Sequence, residues 1–154
     1  MSTKKLLLDY DYDFFLVGIL STVPDYKLCW GMNRALKLNL NREKDLELLL
    51  QNQGETSDLM LSFDNPELLH QFSKFGYYND ATHVQYTVVA NKSNSRLLIR
   101  EEQSVDYFLR IDGLYGDSDL EENIIKKLRE QKEIVTAYMI DPNTLKSKQN
   151  LIFE

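Results

Sequence analysis

Hydrophobic and polar positions near the N-terminus predict a strand followed by a helix. Aspartates alternate with aromatic residues from Asp9, and both faces turn apolar from Phe14 to Leu20, which predicts a strand that enters the interior. Apolar residues then recur at helical spacing behind Thr22, a suitable N-cap, so we predict a helix over about 23–37. The apolar face of this helix comprises Cys29, Met32 and Leu36.

A second amphipathic pattern, towards the C-terminus, is the clearest helix signal in the chain. Ser118 and Glu121 have the spacing of a capping box, acidic residues occupy the first turn, and basic residues occupy the last. A helix is predicted over 118–131, and a strand over 133–140 follows it and stops at an Asp-Pro pair. The apolar stripe of the helix comprises Leu120, Ile124, Ile125 and Leu128.

The middle of the chain carries shorter patterns of mixed type. Strands are predicted at 46–52, 57–63 and 83–91. Between the last two, an Asn-Pro pair at one end and a glycine at the other predict a short helix over 65–76. Its apolar face comprises Leu68, Leu69, Phe72 and Phe75.

Turn residues at 91–95 predict that 96–100 returns as a hairpin arm before a further strand over 105–113. Alternation places two sets of side chains on opposite sides of that strand: Tyr107, Leu109 and Ile111 on one, and Phe108, Arg110 and Asp112 on the other.

The order of these elements predicts an α+β fold. Strands mostly follow one another and helices lie near the two ends, which indicates a largely antiparallel sheet of about six strands with two main helices packed against it. We expect residues 1–154 to form a single globular domain, with a tail at about 142–154 that is able to dock separately.

Composition and charge disfavour several kinds of partner. The formal charge of −6 opposes direct binding of nucleic acid or anionic lipid. The single Cys29 suits a reducing compartment, and the longest apolar run, 14–20, is too short for a membrane span. Only three apolar residues separate the N-terminal lysines from Asp9, which is fewer than a signal peptide requires. We therefore expect a cytoplasmic location and no membrane association. One local basic patch comprises Lys126, Lys127, Arg129 and Lys132.

No motif completes a metal, cofactor or nucleophile site. His70, His83 and Cys29 lack the spacing of a transition-metal site, and neither a glycine-rich nucleotide loop nor a nucleophile elbow occurs. The D-x-D-x-D run at 9–13 resembles the start of a calcium loop, but Phe14 stands where that loop requires glycine. We favour exposed carboxylates at a strand end, and we expect no cofactor, no metal and no catalytic residue.

Acidic residues cluster between positions 101 and 106. Glu101, Glu102 and Asp106 would serve as a general acid and base only if a turn brought two of them together. We favour a solvated connector, or a turn in which Glu101 binds backbone N–H groups, because paired acids need convergent geometry. An enzyme or small-molecule-binding protein that uses Glu101, Asp106 and Tyr107 is the first alternative function.

The same stretch resembles the naming motif of the IPExxxVDY family, bacterial proteins without an established activity. Residues 25–36 and 137–153 are also similar to this family. The resemblance implies no catalytic residue, substrate or cofactor. Genes of the family often lie near those for ribonuclease III and fatty-acid synthesis, which implies a second alternative, an RNA-metabolism-associated factor that acts through a protein partner. The matching residues are Ile99, Glu101, Val105, Asp106 and Tyr107, whereas Arg100 replaces the motif's proline.

Two surfaces are candidates for binding another protein. The apolar C-terminal residues Leu151, Ile152 and Phe153 either dock on their own domain, which we favour, or add as a strand to a partner's sheet. Tyr26 and Trp30 on the first helix form the second candidate, although core packing is the favoured interpretation there. We predict a non-enzymatic protein-binding or adaptor domain whose partner is another protein.

Overall fold

Six antiparallel strands form the central sheet of the computed structural model, which describes residues 13–49, 69–94 and 96–153. In chain order the strands are β1 (Phe15–Leu20), β2 (Asn41–Leu49), β3 (Leu69–Asn79), β4 (Val84–Ala90), the short β5 (Lys92–Ser93) and β6 (Arg96–Leu97), β7 (Tyr107–Asp112) and β8 (Thr136–Ile140). The helices are α1 (Asp25–Leu36) and α2 (Ser118–Arg129), with 3-10 turns at Pro142–Thr144 and Lys148–Leu151. The order in the sheet is β2-β3-β4-β7-β1-β8, and β5 pairs only with β6. The predicted α+β fold with a six-stranded antiparallel sheet and two helices is confirmed.

Both α-helices pack on the same face of the sheet. α1 buries Leu28, Cys29 and Met32, and α2 buries Ile124 and Leu128. These side chains meet a layer of strand residues that comprises Phe15, Val17, Ile19, Val88, Leu109, Ile111 and Ala137. The predicted orientation of β7, with Leu109 and Ile111 on one side, is therefore confirmed.

The opposite face of the sheet is covered by two segments whose only regular secondary structure, among the described residues, is the β5–β6 pair and the two 3-10 turns. One cover is the signature loop, residues 91–106, and the other is the C-terminal segment, residues 141–153. Their buried residues Leu98, Ile99, Val105, Leu145 and Leu151 pack on the strand residues Leu16, Phe72, Val89, Phe108 and Ile140. The central strands therefore bury side chains on both faces, and the sheet is the middle of three layers.

The predicted helix over 65–76 is wrong in its described part, because residues 69–79 form β3. Phe72 and Phe75 are three apart, as on a helix, but Phe72 packs under the C-terminal segment and Phe75 packs under the helices. A strand covered on both faces buries residues of either parity, so helical spacing arises in it without a helix. β3 pairs with both β2 and β4, and this pairing overrides the local pattern.

The N-caps of the two helices differ from the predicted ones, although α2 begins at Ser118 as predicted. α1 begins after Pro24, whose carbonyl oxygen accepts the first helical hydrogen bonds, and no side chain caps it, so Thr22 is not the N-cap. The N-cap of α2 is Asp117, one residue before Ser118, and its carboxylate accepts from the N–H of Leu120 at 3.2 Å.

None of the described helices has the length and apolar character of a membrane span.

Strand boundaries also shift where tertiary pairing extends or stops a strand. The strand predicted at 46–52 is β2, which begins five residues earlier, at Asn41, where pairing with β3 begins. The hairpin arm predicted at 96–100 is only two residues long, since the chain enters the buried part of the signature loop at Leu98. The strand predicted at 57–63 and the acidic run at 9–12 lie outside the described residues.

Candidate functional site

Asn91 organises the signature loop from the end of β4. Its fully buried side-chain amide donates to the carbonyl oxygens of Glu102 and Val105, both at 2.9 Å, and accepts from the N–H of Ile99 at 2.8 Å. Its backbone N–H donates to the carbonyl oxygen of Asp106 at 3.0 Å. One buried amide thus satisfies three backbone groups of the loop, which would otherwise lose water without gaining a partner.

Asp106 joins the signature loop to the chain that follows β1. Its carboxylate accepts from the backbone N–H of Ser21 at 2.9 Å and from the Nζ of Lys92 at 2.8 Å. Its own backbone N–H donates to the carbonyl oxygen of Ile19 at 2.9 Å. The carboxylate therefore acts as a link between chain segments, with a backbone donor on one oxygen and a lysine on the other.

Tyr107 extends the same connection to the start of α1. Its hydroxyl donates to the carbonyl oxygen of Val23 at 3.3 Å. Burial raises the pKa of Tyr107 to about 12, and the carboxylates of Asp25 and Asp106 add to this rise. The phenol therefore stays protonated at neutral pH and serves as a hydrogen-bond donor to the backbone.

Glu101 joins the signature loop to the C-terminal segment. Its carboxylate accepts from the backbone N–H of Ser147 at 2.7 Å and from the hydroxyl of Ser147 at 2.8 Å. Burial acts to raise the pKa of Glu101, but the hydrogen bonds from Ser147 outweigh it, so the pKa lies below its usual value. The neighbouring Glu102 accepts from the hydroxyl of Tyr138 on β8 at 3.2 Å.

The three signature side chains bind three different places. Glu101 binds the C-terminal segment, Asp106 binds the turn after β1, and Tyr107 binds the start of α1. None of them lines the two surface cavities described below. Their hydrogen bonds link covering chain segments and the start of α1 to the strand β7 and the loop before it.

Arg100 lies in a tight turn, at the position where the resemblance to the IPExxxVDY family would place a proline. The N–H of Glu102 donates to the carbonyl oxygen of Ile99 at 3.2 Å, which makes Arg100 the second residue of a four-residue turn. Proline favours that position because its ring presets φ. In this chain the exposed Arg100 cannot restrict φ in that way, and the turn is held by the hydrogen bonds of Asn91 and Glu101.

We expect Glu101→Gln to lower the free energy of unfolding by about 1 kcal/mol at pH 7, since the lost charge-assisted bonds are partly screened by water. Because the pKa of Glu101 is lowered in the folded protein, its carboxylate contributes fully to the free energy of unfolding above the usual pKa of 4.5. This contribution is lost as the pH falls through the pKa that Glu101 has in the folded protein. Urea denaturation at pH 7 and at lower pH should therefore show the two proteins converging in acid. Glu122→Gln, an exposed change on α2, is the control; a constant difference at every pH would contradict this role of Glu101.

Arg110 holds the C-terminal segment on the sheet. Its guanidinium makes a two-pronged ion pair with Asp112 at 2.9 and 3.0 Å and donates to the carbonyl oxygen of Leu151 at 2.6 Å. The same group lies over the rings of Phe14 and Phe153, 4.1 and 5.5 Å from their centroids. Leu151 is fully buried, and Ile152 and Phe153 are partly buried. The apolar C-terminal residues therefore dock on their own domain, as favoured from the sequence, and not as a strand.

The α1 patch, which we define as Tyr26, Lys27, Trp30 and Arg34, lies on the outer side of α1. Trp30 is the only tryptophan of the chain and is 71% exposed, and Tyr26, one turn earlier, is 59% exposed. The favoured interpretation of these two aromatic residues as core is wrong. The neighbouring Cys29 points inward, and burial raises the pKa of its thiol to about 12, so it belongs to the core.

Two surface cavities lie away from the signature loop and the α1 patch. A cavity of about 690 Å³ at one end of the sheet includes the hydrogen-bonded pair of Tyr78 and His83, 2.9 Å apart, and the ion pair of Arg110 with Asp112. The polar side chains named here already bind each other.

A groove of about 670 Å³ lies between α2 and β8. Three carboxylates face two cations along it, and one of these cations, Arg129, donates to the carbonyl oxygen of Ala137 at 2.7 Å. The charged residues of the groove are Glu121, Glu122, Lys126, Arg129 and Glu130. This mixture of charges does not suit a phosphate backbone, which needs a positive face.

Over residues 13–49, 69–94 and 96–153, no three His, Cys, Asp or Glu side chains come together in a way that would hold a metal ion. Comparison of the chain with protein-family models, with curated proteins and with solved structures finds no match. The resemblance to the IPExxxVDY family therefore stays a prediction.

Sequence reasoning missed Asn91 and Arg110 as organising residues. Asn91 stands in a run of turn residues, and its burial follows only from the loop that folds over it. Arg110 carried a detectable signal, because a charged residue between Phe108 and Asp112 on one side of a buried strand requires a partner. One partner, Asp112, is two residues away on the same side of the strand, whereas the other, the backbone carbonyl of Leu151, is 41 residues away in the chain.

Proposed function

We propose that this protein is a non-enzymatic protein-binding domain that docks its partner through the α1 patch. The observation that carries the proposal is the exposure of Trp30, with Tyr26 one helical turn away. Tryptophan and tyrosine are enriched among the residues that dominate binding energy at protein interfaces. An exposed tryptophan beside an exposed tyrosine is a surface that a partner can cover with a large gain in buried apolar area.

The inner side of α1 supports the proposal because it makes the patch rigid. Leu28 and Met32 are fully buried against the sheet, so the helix that carries Trp30 is held in one orientation. Gly31 faces the carboxylate of Glu133, where an added Cβ would lie 2.6 Å from an oxygen, and this brings the chain before β8 close against α1. A pre-ordered surface loses little conformational entropy on binding, which favours affinity.

The signature loop and the C-terminal segment support the proposal by a different route. The polar groups of Glu101, Asp106 and Tyr107 already bind the protein's own backbone, and Leu151 is fully buried. We infer that these regions maintain the fold, whereas the α1 patch is open to a partner. An RNA-metabolism-associated factor that acts through another protein would use the same surface for that protein. We propose the cytoplasm as the location.

Photo-crosslinking tests the proposal in cells that produce the protein. We expect a photo-reactive phenylalanine derivative in place of Trp30 to form an adduct with one specific protein, and Tyr26→Ala to reduce that adduct. With the partner purified, Trp30→Ala should weaken binding by about 30-fold or more, the effect of a dominant interface residue. It should change the free energy of unfolding by only about 0.5 kcal/mol, because the side chain is exposed.

Tyr115 supplies the matched control. It is 93% exposed on the turn between β7 and α2. A photo-reactive residue at this position is therefore exposed to solvent, as at position 30, but does not lie on α1. The same set of adducts from positions 30 and 115, or no adduct from position 30, would rule out the α1 patch as the docking surface.

A further inference from the structure

We propose that the α1 patch takes an acidic amphipathic helix of the partner protein. This inference rests on the proposed docking function and adds to it the charge and shape of what is docked. The observation behind it is that both charged residues of the patch, Lys27 and Arg34, are cations, in a protein whose formal charge is −6.

Two cations lie beside Trp30 at helical spacing. Lys27 is three residues before it and Arg34 four residues after it, and side chains at these separations are neighbours on a helix surface. Both are exposed. The patch thus has an aromatic centre with a cationic side chain on each side along the helix, and Glu133 offsets part of the charge of Arg34.

Two carboxylates close to the patch are already engaged. Glu133 is almost fully buried and accepts from the Nη2 of Arg34 at 2.8 Å, and Asp25 accepts from the N–H of Tyr26 at 2.7 Å and lies 3.7 Å from Arg42. Arg34 also binds the side-chain oxygen of Gln131 at 2.9 Å, which orients its guanidinium while 53% of the side chain stays exposed. A held, exposed arginine binds a carboxylate at a low cost in side-chain entropy.

The shape of the patch favours a helix over an extended segment. Tyr26, Trp30 and Arg34 follow one another at intervals of four residues, which forms a ridge along the outside of α1. Such a ridge packs into the groove between rows of side chains on another helix. A segment that adds as a β-strand would instead need the unpaired edge of a sheet, and α1 has none.

The probes are two peptides of about 20 residues, long enough to be helical alone. Both are alanine-rich, lack tryptophan and carry leucines along one face; one has glutamates beside the leucines and the other has lysines at the same positions. Trp30 is the only tryptophan of the chain, so its emission reports contact at the patch directly. We expect the acidic peptide to shift this emission to shorter wavelengths, and the basic peptide to leave it unchanged.

Charge variants measured by the anisotropy of labelled peptide complete the test. Lys27→Glu should weaken binding of the acidic peptide by about tenfold, because it removes an attraction and adds a repulsion, and added salt should weaken wild-type binding. Lys126→Glu, the same charge change on exposed α2, is the matched control and should alter affinity by less than about twofold. Trp30→Ala should remove binding.

The outcomes separate this inference from the docking proposal. If both peptides shift Trp30 emission equally, the α1 patch docks helices but the acidic preference is wrong. If Lys27→Glu and Lys126→Glu weaken binding equally, only the net charge of the protein matters and the inference is wrong. If neither peptide binds, the acidic helix is not the occupant, whereas the cross-link from position 30 still decides whether the patch docks a partner.

Discussion

Replacement of Asn91 with alanine should lower the free energy of unfolding by about 3–5 kcal/mol, one of the largest effects expected of any single change in this chain. The substitution leaves the carbonyl oxygens of Glu102 and Val105 and the N–H of Ile99 without the partner that they have in the native loop. Each buried polar group that loses its partner costs about 1–3 kcal/mol. Urea denaturation, with the slope compared between variants, measures the loss.

Asn91→Asp separates hydrogen bonding from side-chain volume. It keeps the shape of the side chain and an acceptor for Ile99, but it places a carboxylate oxygen against two carbonyl oxygens. We expect it to be at least as destabilising as Asn91→Ala. Asn123→Ala, on the exposed side of α2, is the matched control and should stay within about 0.5 kcal/mol of the wild type. An Asn91→Ala protein as stable as that control would show that the loop does not depend on Asn91.

Replacement of Arg110 with methionine should lower the free energy of unfolding by about 2–4 kcal/mol and release the C-terminal segment. Methionine keeps much of the apolar stem, so the expected loss comes from the guanidinium. Without it, Asp112 loses a two-pronged ion pair, the carbonyl oxygen of Leu151 loses a donor at 2.6 Å, and the rings of Phe14 and Phe153 lose the cation between them.

Hydrogen exchange distinguishes release of the C-terminal segment from general destabilisation. In Arg110→Met, amides at 148–153 should exchange faster than those of β4 and β7, relative to the wild type. Arg110→Lys should restore only part of the stability, since an ammonium cannot make the planar, two-pronged contact and stack on a ring at once. Arg100→Met, on the exposed turn, is the control and should leave both measurements unchanged. Uniform acceleration across the protein would contradict an anchoring role for Arg110.

Much of the fold could be predicted from the sequence because the signals for it are local. The periodicity of α2 and the apolar run of β1 each span only a few turns or residues, and they predicted these elements to within a few positions. The alternation in β7 likewise assigned Leu109 and Arg110 to opposite faces. The segment of β3 was predicted wrongly because it becomes a strand through pairing with β2 and β4, which are not its neighbours in a short sequence window. Phe72 and Phe75 have helical spacing in the sequence, and only the tertiary structure shows that they lie on opposite faces of the sheet.

The candidate site could likewise be predicted only as far as local sequence information allows. The sequence identified Glu101, Asp106 and Tyr107 as residues of interest, but their partners Ser147, Ser21 and Val23 are 46, 85 and 84 residues away. No pattern within a short window reports such contacts. The sequence favoured a solvated connector or a turn held by Glu101, and the structure adds the distant chain segments that these side chains link to the loop.

The sequence by itself determined the class of the fold, the two helices and the acidic surface of the protein, because periodicity, capping and charge are properties of neighbouring residues. Only the tertiary structure decided which apolar residues are covered. Phe153 is docked beside Arg110, whereas Trp30 is left open to solvent. The reason is physical: burial depends on which segments pack over each face, and that packing is set by contacts between residues far apart in the chain.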